Sequence, residues 1–209
     1  MALDKTFYRQ VMGCFTTGVA VLTARSQAGV AGLTINSFCS VSLDPPLILV
    51  CVDRNSYTLS YFRESGSFAV NILTNEQEHL SRCFATPSEA RYEHFCYVCY
   101  RQAATGSPII EGVLAFIDAR IVSEHPGGDH VILLGEVQAL GVGNHVIFNE
   151  QAGAYRTDVT PTDNGRDTTD GMSAPLAYYR GQYRHLALDY RQPSLPAHYK
   201  EQRCLVKVS

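Results

Sequence analysis

The chain has 209 residues, 45% of them hydrophobic and 18% charged, which is enough for one domain with an ordinary core and too apolar for a chain disordered throughout. A formal charge of -3 leaves no basic field for a phosphate backbone, so nucleic acid is not an expected partner. No run approaches the ~20 apolar residues of a membrane span, and the opening MALDKTFYRQ lacks the charged cap and apolar stretch of a secretory signal, so a cytoplasmic setting is expected.

From the amino end, Asp4 is placed to cap a helix whose apolar positions Phe7, Val11, Cys14 and Phe15 recur at helical spacing, and Gly18 marks its end. The period then changes to two, or to solid β-branched runs. Residues 19–25, 33–43, 47–52 and 68–73 read as strands, and Asp44-Pro45-Pro46 turns the second sharply into the third. Helical patterns are few: 56–63, and 76–84 with Asn75 as its cap and acidic residues in its first turn. Strands follow at 113–122 and 130–140, and a last one at 176–183. Regular helices do not separate these strands, as a doubly wound parallel sheet would require, so a closed or split antiparallel barrel is the expected architecture. Residues 153–174, with Asp158, Asp163, Asp167 and Asp170 among threonines and glycines, cannot build a core and read as a surface insertion or a lid. The tail, 189–209, carries Pro193 and Pro196 and reads as extended.

Several chemistries are absent. The only lysines are Lys5, Lys200 and Lys207, so there is no Walker loop and no internal lysine for Schiff-base catalysis. No G-x-G-x-x-G, G-x-S-x-G or H-E-x-x-H occurs. Cys96 and Cys99 form a lone C-x-x-C with only His94 nearby, so no metal site is expected. Seven cysteines, an odd number, read as reduced thiols rather than a disulfide framework.

The densest polar segment is GLTINSFCSVSLDPP, residues 32–46. Strand alternation would set Thr34, Asn36, Phe38 and Ser40 on one face and Ile35, Ser37, Cys39 and Val41 on the other. So many hydroxyls and amides need partners, which water at an edge strand or a flat heterocycle would each supply. DRNSYT, residues 53–58, enters a helix, where backbone N–H groups with Ser56, Thr58 and Arg54 suit a phosphate; an ordinary cap explains Asn55 and Ser56 equally well. His130 follows Pro126-Gly127-Gly128-Asp129 at the mouth of a strand, suited to hydrogen-bond an amide or move a proton, or simply to face water.

Five stretches in series carry a resemblance: FYRQVMGCFTTGVAVLTA, GLTINSFCSVSLDPPLILVCVDRNSYTLSYF, GSFAVNILTNEQEHLSRCFA, Gly128-Asp129-His130, and PLAYYRGQYRHL. Together they resemble the short-chain flavin reductases, FMN-binding split barrels that serve as reductase components of two-component flavin monooxygenases. The resemblance implies a mainly β fold, a six-stranded antiparallel Greek-key split barrel with a few short helices, in a domain over 1–188 followed by an extension, 189–209. It implies a homodimer with FMN or FAD at the subunit interface, NADH or NADPH as hydride donor, and a monooxygenase that receives the reduced flavin. Its flavin-contacting strand falls on Thr34, Asn36, Ser37 and Ser42, its phosphate-side loop on Asn55 and Ser56, and its later helix on Ser81, Arg82 and Phe84. The nicotinamide side falls on Gly128, Asp129 and His130, with His130 as the catalytic candidate. Around 145–174 the chain departs from typical members, which run more directly into the Pro-Leu strand. The same fold also admits a flavoprotein that keeps its flavin and acts on another acceptor, or a non-enzymatic flavin-binding protein.

Overall fold

The computed structural model describes residues 3–142, 145–148 and 174–186. Asp4 caps helix α1 (Lys5–Met12) by accepting the Thr6 N–H at 2.8 Å. Strands β1 (Thr17–Gly18), β2 (Ala20–Ser26), β3 (Gly29–Ile35), β4 (Cys39–Leu43) and β5 (Pro46–Asp53) lead to helix α2 (Leu59–Ser65) and strand β6 (Ser67–Ile72). A 3-10 turn at Asn75–Gln77 opens helix α3 (Glu78–Ala85), then come α4 (Glu89–Tyr92), β7 (Tyr100–Gln102) and β8 (Pro108–Ile110). Two long strands, β9 (Ala115–Gly127) and β10 (His130–Val142), precede β11 (His145–Phe148), and β12 (Leu176–Tyr179) and β13 (Gln182–His185) complete the described chain.

The main sheet runs β3-β2-β6-β9-β10-β5-β4, every pair antiparallel, with β11 hairpinned onto β10. Register shifts in β9–β10, at Leu134/Gly135 and Val137/Ala139, bend the two longest strands and let the sheet curl. Alternation puts Leu22, Val50, Val52, Phe68, Val70 and Leu133 into the barrel, and α2 plugs one end with Phe62. Strand β2 is buried on both faces, because Val21 turns outward into a second core with Leu73, Phe84, Phe95, Ile110 and Leu176. Asn71 ties the two layers: its amide donates to Thr23 Oγ1 at 3.0 Å and its carbonyl accepts the Ile110 N–H at 2.8 Å.

The first helix is shorter than its apolar spacing predicts, ending at Met12 with Gly13 as its cap rather than at Gly18. Residues 33–43 are two strands, because the chain leaves the ladder at Asn36–Phe38 before re-pairing as β4, and a register shift between Ser40 and Ser42 breaks the alternation again. The last strand, 176–183, is a hairpin turned by Arg180-Gly181. Asn75 does not cap the second helical segment; Thr74 does, through a capping box in which Gln77 Oε1 accepts the Thr74 N–H at 3.1 Å. The cysteines are not all free, since Cys83 on α3 is disulfide-bonded to Cys96, and that pairing takes Cys96 away from the apparent motif with Cys99. The expected insertion and tail, from 149 to 173 and beyond 186, lie outside the described residues, although β11 shows that the chain first continues the sheet at 145–148.

Candidate flavin site

A cavity of about 950 Å³ opens between α1, the segment Thr16–Val19, the end of β3 and the β12–β13 hairpin. Met12, Phe15, Ile35, Phe38 and Ile72 give it apolar walls, Thr16, Thr17, Asn36 and Ser37 supply hydroxyls and an amide, and Tyr178 adds a ring. It arises where β3 stops pairing. Beyond Ile35 the backbone bends, and Ser37 pins the bend to β5 by donating to the Cys51 carbonyl at 2.9 Å while accepting the Cys51 N–H at 3.1 Å. Asn36 is thereby left exposed, its amide donating to Thr17 Oγ1 at 3.3 Å.

Thr34 does not line this cavity; it braces it. Its hydroxyl donates to the Ser81 carbonyl at 2.7 Å, and Ser81 Oγ lies 2.8 Å from the Tyr183 hydroxyl. Helix α3 is thus tied to the cavity's strand on one side and to the C-terminal hairpin on the other. Arg82 bonds Glu78 through Nε at 2.8 Å and lies 4.8 Å over the Tyr183 ring. Ser81 and Phe84 expose none of their surface. Phe84 packs edge-on against Phe95 and over Gly32, where a Cβ would stand 2.6 Å from Phe84 Cδ1. These two position the site from behind. Ser42 stands opposite Leu47 on β4, away from the cavity.

The remaining candidates gather at the far end of β5 and β10, which pair His130 with Asp53. Arg54 donates its N–H to the Asp129 carbonyl at 3.1 Å and its Nε to the His130 carbonyl at 3.2 Å, so the two loops are sewn together. The helix begins at Leu59 rather than Ser56, and the N–H groups expected to meet a phosphate are engaged: Asn55 N–H reaches Asp53 Oδ1 at 2.8 Å and Ser56 N–H the Asp53 carbonyl at 3.0 Å. What that turn offers a ligand is side chains. Gly128 holds a φ of 74° in the two-residue turn before β10, a conformation natural to glycine. His130 Nδ1 lies 2.7 Å from Asp129 Oδ1, and that contact holds the Asp129 carboxyl below the usual carboxylate range.

The sequence therefore named residues of two clusters within one chain, the Asn36–Ser37 cavity and the Arg54–His130 end, with Ser37 and Cys51 lying between them. It missed one wall of the cavity: Tyr8, Arg9, Met12, Phe15, Thr16, Thr17 and Tyr178. The sequence held little signal for it: of the apolar stripe Phe7, Val11, Cys14 and Phe15 only Phe15 lines the cavity, and not one residue of α1 is buried.

Residues 12–187 match the flavin reductase-like domain. The chain belongs to the flavin reductase family. It is 39% identical to a flavin reductase of Pseudomonas putida over 68% of this chain and 82% of that one. It is 32% identical to the reductase subunit HsaB of a flavin-dependent monooxygenase of Mycobacterium tuberculosis, over 95% of this chain and 90% of that one. Among solved structures, the NADH:FAD oxidoreductase SgcE6 of Streptomyces globisporus, in complex with NAD and FAD fragments, superposes with a TM-score of 0.69 at 29% identity, over 90% of this chain and 95% of that one. The split-barrel expectation is met: six strands of six or more residues form the barrel, and β4 is added at its edge. Among the described residues no helix is long and apolar enough to cross a membrane. Like its relatives, the chain is an oxidoreductase that acts on flavin.

Proposed function

We propose that the chain is the NAD(P)H-dependent reductase half of a two-component system, passing hydride from NADH or NADPH to FMN or FAD and releasing the reduced flavin to a separate monooxygenase. The cavity carries the reading. Its apolar walls, open mouth and row of hydroxyl and amide groups fit a planar ring with carbonyls and ring nitrogens. When bound, the flavin supplies the hydride-accepting ring and the nicotinamide the hydride.

The chain's own residues bind and orient. Asn36, Thr17 and Thr16 offer hydrogen bonds to the ring edge, while Met12, Phe15 and Phe38 exclude water from its faces. Ser37 fixes the strand end, and Thr34, Ser81 and Tyr183 stop the cavity wall from drifting; proximity of two aligned rings is the main catalytic effect. Ser56 and Asn55, beside Arg54, are the side chains that would meet a flavin phosphate. Asp129 takes up Nδ1 of His130 and so turns Nε2 toward an incoming nicotinamide. An open cavity suits a flavin that must arrive and depart.

A homodimer fits the same reading. Leu47, Leu49 and Cys51 on β5 and Ile132 and Leu134 on β10 face away from the barrel core and are only half-buried. A second copy laid over this apolar face would cover it, and His130 opens on the same side of β10.

The test is His130→Ala. Loss of one hydrogen bond to the nicotinamide costs about 1–3 kcal/mol, so reduction by NAD(P)H should slow about tenfold to a hundredfold while flavin affinity stays as it was. A full NADH rate would return His130 to the solvent, and equal losses in flavin binding and turnover would make it part of the flavin pocket.

A further inference from the structure

A second hollow of about 550 Å³ adjoins the flavin cavity and shares Arg9, Gly13 and Gly181 with it. Its other walls are Thr6, Gln10, Cys14 and Arg180. Two arginines thus line one annex that has no acidic residue in its lining, in a chain whose net charge is -3. Neither arginine has a carboxylate partner among the described residues; Arg180 lies only over the Tyr179 ring, 5.3 Å from its centre. Such a pair is matched by phosphate oxygens, which arginine grips through a planar fork of N–H donors.

The backbone around the annex is unusual in its own right. Arg180 and Gly181 turn the β12–β13 hairpin with φ values of 48° and 75°. Two-residue hairpins with both central residues left-handed ordinarily carry Asn-Gly, since an arginine there is strained. The strained residue is also anchored: its N–H donates to the Gly13 carbonyl at 2.8 Å. Arg180 packs directly on Gly13, with its Cα 3.5 Å from where a Cβ on that glycine would stand. The end of α1 and the hairpin tip are thereby clasped, and Arg9 and Arg180 are delivered to the same hollow from two different elements.

We propose that Arg9 and Arg180 form a diphosphate subsite, gripping the phosphate bridge of a dinucleotide whose reactive ring occupies the adjoining cavity. The proposal rests on the reductase reading and adds to it a reason for dinucleotides to be held better than mononucleotides. Two molecules carry that bridge, the nicotinamide dinucleotide and FAD, and the experiment separates them.

The direct probe is ADP, titrated calorimetrically against the full chain and against Arg9→Gln, Arg180→Asn and the double variant, with AMP as the control. ADP should bind the parent more tightly than AMP does, each single variant should weaken it about tenfold or more, and the double variant should not distinguish the two nucleotides. Arg180→Asn places the residue that the turn prefers, so its melting temperature should hold or rise while ADP binding falls; a merely structural role for Arg180 would not give that split. In the assay, a raised KM for NADH with an unchanged KM for reduced nicotinamide mononucleotide assigns the bridge to the hydride donor. A raised Kd for FAD with an unchanged Kd for FMN assigns it to the flavin, and then the phosphates of FAD lie at Arg9 and Arg180 rather than at Asn55 and Ser56. ADP binding that is absent from the parent, or equal in the parent and the double variant, overturns the subsite whether or not the protein reduces flavin. Failure of reductase activity with ADP binding intact would instead remove the reductase reading and leave the subsite standing.

Discussion

Replacing Gly32 by alanine pushes a methyl group into the ring that holds the proposed flavin cavity from behind. The new Cβ would stand 2.6 Å from Phe84 Cδ1 and 3.3 Å from Phe95 Cε2, and Phe84 is fully buried with its ring against Phe95. There is little room to yield, because the Gly32 carbonyl also accepts the Nε–H of buried Arg91 at 3.0 Å. Overpacking of this kind costs about 1–3 kcal/mol. In a chain of this length each kcal/mol lowers the melting temperature by about 2–4 °C, so a loss of several degrees is expected by calorimetry. Phe84 lies one turn beyond Ser81 on α3, and a shift of that helix strains the Thr34–Ser81 and Ser81–Tyr183 hydrogen bonds together. Flavin affinity, followed by fluorescence quenching, should therefore fall with stability. Combining Gly32→Ala with Phe84→Leu should recover part of both losses, a coupling that separate effects would not produce. A melting temperature and a flavin Kd both unchanged by Gly32→Ala would refute the claim that Phe84 sets the position of α3.

Three further outcomes are expected. Tyr183→Phe removes the hydroxyl that meets Ser81, and should cost about 1 kcal/mol of stability in urea unfolding, with a weaker hold on flavin. Burial raises the Asp118 carboxyl above the ordinary value of 3.8, against the opposing hydrogen bonds from Thr105; a raised acid is most favourable to folding below its unfolded value and loses that contribution as pH rises through its folded value. The stability of the parent relative to Asp118→Asn should therefore decline from acid pH towards neutrality, and a difference independent of pH would contradict it. Leu134→Asp sets a charge in the face proposed for the second copy and should shift light scattering from twice the chain mass towards a single chain.

The sequence made the local features legible and left the meeting points of distant segments hidden. Asp4 as a cap and the proline-bearing turn into β5 each rest on one short stretch of chain, and both are found. The capping box over Thr74 and Gln77 was equally local, but the acidic run after Asn75 drew the boundary one residue late. Residues 33–43 misled because strand periodicity continues through Asn36–Phe38, while the bend there is imposed by Ser37 bonding to Cys51, fourteen positions away in the chain. The Cys83–Cys96 pairing likewise follows from α3 meeting the segment around Phe95, which spacing alone does not encode. Within the candidate site, Asn36 and Ser37 reach the cavity, whereas Ser81 and Phe84 stand behind it, since a polar or aromatic residue on a short helix reads the same from either side. The α1 wall was missed because an apolar stripe at helical spacing ordinarily marks burial in the same domain, and because Tyr8, Arg9 and Met12, which face the cavity, lie outside that stripe.

On the proposed reading, this chain oxidises a reduced nicotinamide dinucleotide and gives the electrons to a flavin that comes and goes. Steady-state consumption of NADH and of NADPH, measured with and without added FMN or FAD, tests it most directly. Little oxidation is expected from the purified chain alone, with a rate that rises and saturates as one of the free flavins is added. A rate that ignores added flavin would mean a flavin kept for another acceptor, and no oxidation above the enzyme-free control with either nucleotide and either flavin would contradict the account outright.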